Sequence, residues 1–221
     1  MKILNNLHGF IWESMTENNA NTYLIDGKTP VLIDPGHAHL FQHVQQGLEG
    51  LGRDLGDIGV IICTHAHPDH IEGVQVFGET ASQFAMHEKD WKLVKSMENL
   101  ICGDSRIDVD KFKPDFFIKE GDFSINGLDL RVFHTPGHSP GSVSLYWPDK
   151  KVLFTGDLIF KDGVGRTDLP GGDGSLLKES IKRLKGLEIE WLLPGHGDMV
   201  SGAKEVRANF DHLEQFYFSY V

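Results

Sequence analysis

The chain has 221 residues, enough for one substantial core, with 21 lysines and arginines against 32 aspartates and glutamates, a formal net charge of −11. Nucleic-acid binding depends on neutralising phosphates, so this balance speaks against a nuclease or any nucleic-acid partner. No apolar run reaches the roughly 18 residues of a membrane span, and the first residues, Met1-Lys2-Ile3-Leu4-Asn5-Asn6, lack a signal-peptide apolar region. A cytoplasmic protein without a membrane partner is the expectation.

Short apolar runs alternate with amphipathic stretches along the chain. Residues 21–25 and 31–34, joined by Asp26-Gly27-Lys28-Thr29-Pro30, have the turn chemistry of a hairpin. Leu40, Val44 and Leu48 fall at helical spacing within 39–51, and Gly52 ends that helix. Residues 60–63 form a wholly apolar run that suits a buried strand. A helix is expected over 88–100, through Trp91, Val94 and Leu100, and 112–121 is loop-rich. Strands are then expected at 123–125, 128–133, 142–147 and 151–155, with Asn126-Gly127 and Pro148-Asp149-Lys150 as turns. A helix over 176–187, a core strand at 191–193 and an aromatic-faced helix over 206–220 complete the order. Neither a repeat nor a low-complexity linker interrupts it, so one domain over 1–221 is expected. Periodicity alone supports an α/β or α+β class.

The chemistry concentrates where strands end. Thr64-His65-Ala66-His67-Pro68-Asp69-His70 follows the run 60–63 and packs three histidines and an aspartate into six residues. Imidazole and carboxylate at that density suit zinc, iron or manganese. Three later junctions add donors: His138 in Thr135-Pro136-Gly137-His138, Asp157 after the run 151–154, and His196 in Pro194-Gly195-His196. Functional groups on loops aimed by a rigid scaffold are the usual arrangement of a site. Of the 12 histidines, the seven outside this set read as surface or packing residues. His37 and His39, close behind Asp34, are candidates for the rim of a cleft. Cys63 and Cys102 have neither ligand spacing nor the density of a disulfide scaffold, and Cys63 reads as a packed thiol.

These motifs resemble the metallo-β-lactamase superfamily, in particular its short bacterial glyoxalase II-like branch, over about residues 21–196. The resemblance implies an α+β, four-layer αββα sandwich with metals at one edge. It implies two divalent ions, zinc by expectation and iron or manganese as alternatives. His65, His67 and His138 would hold one ion; Asp69, His70 and His196 would hold the other; Asp157 would bridge them. Asp69 and Asp157 are thus the carboxylates expected at the catalytic centre. Asp34 matches the family's early strand-end aspartate and is expected to orient ligands through hydrogen bonds.

A hydroxide held between the ions would attack a carbonyl whose oxyanion the metals stabilise. A thioester suits this machinery, since a thiol with a pKa of about 8.5 leaves with little protonation. Glyoxalase II-like proteins cleave S-acyl-glutathione, so a small thiol or thioester is the expected substrate. Gly163-Val164-Gly165-Arg166 resembles the glyoxalase Gly-Cys-Gly-Lys loop, which makes Arg166 a candidate for gripping a substrate carboxylate. Internal pairing of Arg166 with Asp168 or Asp173 is the alternative. The helical glutathione-binding domain of longer glyoxalases, and the tyrosine near their last metal histidine, have no counterpart in residues 197–221. The competing family reading is a mono-iron persulfide dioxygenase using His65, His138 and Asp157, supported by its similar Gly-Arg-Thr-Asp loop at Gly165 to Asp168.

Overall fold

The computed structural model describes residues 1–14, 16–97 and 109–221 and divides into two compact units, Met1–Ile118 and Lys119–Val221. The strands of the first unit are β1 (Lys2–Leu4), β2 (Leu7–Phe10), β3 (Thr22–Ile25), β4 (Val31–Ile33), β5 (Val60–Ile62), β6 (Gln83–Met86) and β7 (Phe116–Phe117). They form one sheet in chain order. The first four pair antiparallel, and β4 to β7 pair parallel. Parallel pairing needs crossovers, and the segments between these strands carry helices α1 (Gln42–Glu49), α2 (Pro68–Ile71) and α3 (Glu88–Met97). Leu24, Leu32 and Ile61 of the sheet pack with Val44 and Leu48 of α1 in one apolar cluster.

The second unit contains β8 (Gly121–Ile125), β9 (Leu128–His134), β10 (Val143–Trp147), β11 (Val152–Gly156), β12 (Ile159–Phe160), β13 (Gly163–Val164), β14 (Trp191–Pro194) and β15 (Val200–Ser201). Its main sheet runs β15-β14-β11-β10-β9-β8, with β12 and β13 forming a separate ribbon. β8 to β11 is an antiparallel meander, whereas β11 and β14 are parallel, Leu153 opposite Leu192. Between those parallel strands runs α4 (Gly174–Leu184), and α5 (Ala203–Phe216) follows β15. Leu177, Ile181 and Leu184 of α4 share a core with Leu153, Leu192, Val206, Phe210 and Leu213.

Each expected helix and strand has its counterpart, with shifted ends. Helix α1 is preceded by a separate 3-10 turn at Ala38–Leu40. Helix α4 begins before residue 176 because the Asp173 side chain accepts a hydrogen bond from Leu176 N at 3.0 Å and caps it. The stretch 112–121 is not simply loop: Phe116 and Phe117 pair with Ala85 and Met86 as an edge strand. The last residues of the expected 88–100 helix, and Cys102, lie outside the described residues. Among the described residues no helix is long and apolar enough to cross a membrane.

Candidate metal centre

In the first unit the donors are set by the end of β5 and the start of α2. His67 is the extended residue before α2, Pro68 occupies its first turn, and Asp69 and His70 sit on the helix itself. Proline there costs nothing, because the first amides of a helix have no intrahelical acceptor. His65 Nε2 and His67 Nδ1 lie 3.1 Å apart. Two nitrogens bound tetrahedrally to one zinc at 2.0–2.1 Å would stand about 3.3 Å apart, so this pair fits a shared ion.

Asp34 governs the rest of this half. Its backbone is in the left-handed region, φ 52°, directly after β4. Aspartate tolerates that conformation better than most residues, and here its carboxylate reaches Thr64, just past the end of β5. Oδ1 accepts from Thr64 N at 2.7 Å and Oδ2 accepts from Thr64 Oγ1 at 2.8 Å. His70 Nδ1 is 3.0 Å from Oδ2, with both side chains buried. One carboxylate therefore fixes the start of the ligand loop and places its negative charge beside Nδ1 of the buried His70 ring.

Two further positioning residues gave no signal in the sequence. Asn18 Nδ2 donates to Asp69 Oδ2 at 2.6 Å. The buried Asp90, on α3, accepts from Ala66 N at 2.8 Å and so holds the loop between the two histidines. An asparagine 51 residues before its partner or an acid in a helix's first turn looks like any polar surface residue until the fold is known. Cys63 is buried, and its thiol donates to His70 O at 3.6 Å. Burial, then the nearby Asp34 charge, pushes that thiol well above its ordinary range, as befits a packed group rather than a nucleophile.

In the second unit β11 and β14 end side by side. Gly195 N donates to Gly156 O at 2.8 Å, extending their pairing to the residues before Asp157 and His196. Asp157 Oδ2 lies 3.6 Å from His138 Nε2 and 3.4 Å from His196 Nε2. A single carboxylate oxygen thus stands between two imidazoles. His138 is held in the turn between β9 and β10, where Ser139 N donates to Ser142 Oγ at 3.1 Å. His138 Nδ1 donates to the Arg166 carbonyl at 2.7 Å, which leaves Nε2 as the ligand atom.

The loop bearing Arg166 reaches this position only through a glycine. A Cβ on Gly165 would lie 1.7 Å from Asp157 O and 3.2 Å from His138 Nδ1. The guanidinium makes paired bonds to Asp168, Nε to Oδ1 and Nη2 to Oδ2, both at 2.7 Å. Hydrogen bonding from Arg166 lowers the Asp168 carboxyl to about 2. The pair is solvent-exposed, so it braces the loop and leaves Arg166 at the surface.

A model of the Metallo-beta-lactamase superfamily matches residues 15–196. The chain belongs to that superfamily. Hydroxyacylglutathione hydrolase GloC of Haemophilus influenzae is 32% identical over 207 residues, covering 87% of this chain and 92% of that protein. A metallo-beta-lactamase family protein from Thermus thermophilus superposes with a TM-score of 0.80 at 23% identity, over 99% of this chain and 81% of that one. TTHA1623 in a di-iron-bound form superposes with a TM-score of 0.68 at 32% identity, over 85% of this chain and 92% of that one. The chain therefore has the metallo-β-lactamase fold, a mixed α/β architecture that holds divalent metals, and its histidine and aspartate clusters suit that use.

Proposed function

We propose that this protein is a two-metal thioesterase of the glyoxalase II type, acting on small acyl thioesters that include S-acyl-glutathione. The observation that carries the reading is Asp157 Oδ2 placed between His138 and His196, which suits a carboxylate shared by two ions. His65, His67 and His138 would hold one ion and Asp69, His70 and His196 the other. Zinc is the expected metal, and the di-iron form of TTHA1623 keeps iron in play. Bound there, the ions would supply Lewis acidity and water made nucleophilic at neutral pH. The 32% identity to GloC supports the hydroxyacylglutathione branch. Cytoplasmic residence belongs to the same reading, in keeping with the free thiol of Cys63.

The chain's own residues then have definite tasks. The Arg166 carbonyl fixes ring orientation at His138, so that ring presents Nε2 without a rotamer search, and Asp34 places its charge beside His70 Nδ1. Asn18 donates to one oxygen of Asp69 and so fixes how that carboxylate is turned. The departing thiolate, with a conjugate-acid pKa of about 8.5, needs no dedicated general acid. An amide would need one.

The deciding experiment is hydrolysis of an S-acyl-glutathione by metal-replete protein, followed by loss of thioester absorbance. Turnover that chelation abolishes and zinc restores is expected. Absence of hydrolysis together with oxygen consumption on glutathione persulfide by the iron-loaded protein would replace this reading with the dioxygenase.

A further inference from the structure

A second group of potential ligands stands in the first unit, apart from the set above. His37, His39 and Glu72 can each offer one ligand atom, and these three atoms lie within 4.8 Å of one another. His37 Nδ1 and Glu72 Oε2 are 2.7 Å apart, and the His37 and His39 rings are 5.0 Å apart between centroids. The His37 and Glu72 side chains are 19% and 29% exposed, and His39 is exposed, so the group is reachable from solvent.

The backbone brings these residues together by specific contacts. Gly73 N donates to Gly36 O at 2.6 Å, which fastens the residue beside Glu72 to the residue beside His37. That approach requires glycine, since a Cβ at position 73 would lie 2.7 Å from Pro35 O. Asn19 Oδ1 accepts from His37 N at 2.7 Å and fixes the other side of the turn. The 3-10 turn Ala38–Leu40 then carries His39 back beside His37. A casual surface pair would not need three tethers.

We propose that His37, His39 and Glu72 form a third cation site, open to solvent, for a divalent first-row ion of the zinc class. Two imidazoles and one carboxylate are a common zinc donor set, whereas calcium and magnesium prefer oxygen alone. The ion takes the place of the contact between His37 Nδ1 and Glu72 Oε2. The His37 tautomer with its hydrogen on Nε2 offers the Nδ1 lone pair to the metal. Nitrogen and oxygen ligands of one tetrahedral ion stand about 3.3 Å apart, so the exposed His39 ring has to swing by no more than about 1.5 Å. Three protein ligands leave a coordination position for water, so the ion is exchangeable. Occupancy would also clamp the segment after β4 to the segment after α2.

Equilibrium dialysis of the whole protein against zinc chloride tests this, with bound zinc measured on wild type, H37A/H39A and E72Q. Wild type is expected to hold one ion per chain more than either variant at saturation. That difference does not depend on how many ions the His65 and Asp157 sets hold, so this proposal and the thioesterase reading can fail separately. Equal saturation in all three proteins would overturn it. If H37A/H39A loses its fold by circular dichroism, H39A decides alone, because its ring is exposed. A loss of at least about tenfold in affinity for the last ion is then expected, and a binding curve identical to wild type would overturn the proposal.

Discussion

Asp157 Oδ2 is flanked by two imidazole nitrogens at 3.6 and 3.4 Å, so substitution there is expected to cost more than substitution of either imidazole. Asp157→Ala removes a ligand from both proposed ions and the negative charge that separates them. His196→Ala removes one ligand from one ion. We expect kcat to fall about a thousandfold or more in the first and about ten- to a hundredfold in the second, measured under saturating zinc. Near-wild-type hydrolysis by Asp157→Ala would end the bridging assignment. Arg166 is the residue at which sequence leaves two readings, and the structure engages its guanidinium with Asp168 through two bonds. A substrate carboxylate would have to displace Asp168. Asp168→Ala should therefore lower KM for carboxylate-bearing thioesters, and Arg166→Ala should raise it relative to neutral ones. Unchanged KM in both variants would leave Arg166 as a brace only. The Asp168 carboxyl is depressed from 3.8 to about 2, so the pair is complete above the ordinary value and lost only as pH falls through about 2. Any pH dependence near neutrality must arise elsewhere.

Among the elements, strand ends are the legible part and strand beginnings are not. The runs at 60–63 and 191–193 are apolar, 152–154 is an apolar core between Lys151 and Thr155, and 128–133 alternates apolar with charged residues; turn residues bound them, so the loops after them are recognisable as places for ligands. β1, β2 and β15 carry no such signal because they are short and lack alternation; β2 reads Leu7-His8-Gly9-Phe10 with every residue buried. Edge strand β7 has only two residues and takes its identity from pairing with β6, which no local pattern encodes. The same limit hides Asn18 and Asp90, whose roles exist only after distant segments meet. The loop from β12 to α4 shows the converse, a local pattern with a structural cause. Gly163-Val164-Gly165 reads as a family motif, and the close approach of Gly165 to the Asp157 carbonyl explains why glycine is required at its last position. Gly165→Ala should push the loop away, release the His138 Nδ1 bond to the Arg166 carbonyl, and cut kcat/KM by about ten- to a hundredfold. Circular dichroism should remain native, since the core cluster of Leu153, Leu177, Ile181 and Leu192 is untouched. Activity within twofold of wild type would show that the His138 ring is oriented by some other group.

At the scale of the whole molecule, the proposed ligands run from His65 to His196, so metal binding should act on global stability as well as on catalysis. An ion that binds only the folded chain stabilises it by RT ln(1 + [L]/Kd), about 4 kcal/mol at a thousandfold excess over Kd. For a chain of this size 1 kcal/mol corresponds to roughly 2–4 °C in Tm, so stripping one such ion should lower Tm by roughly 8–16 °C. Two independent ions would double that, whereas a carboxylate shared as proposed for Asp157 would make their losses interdependent. Calorimetry of chelated, metal-replete and Asp157→Ala proteins separates these cases. The replete protein should unfold highest, and chelation should lower Asp157→Ala much less than wild type, since its ions are already weakened. The effect takes its sign from linkage: donors brought together only in the folded chain bind the ion only there, so occupancy favours the folded state. Chelation that left Tm unchanged would mean the donors are held by the fold without help from metal. It would remove the stability argument while leaving the catalytic one to the thioester assay.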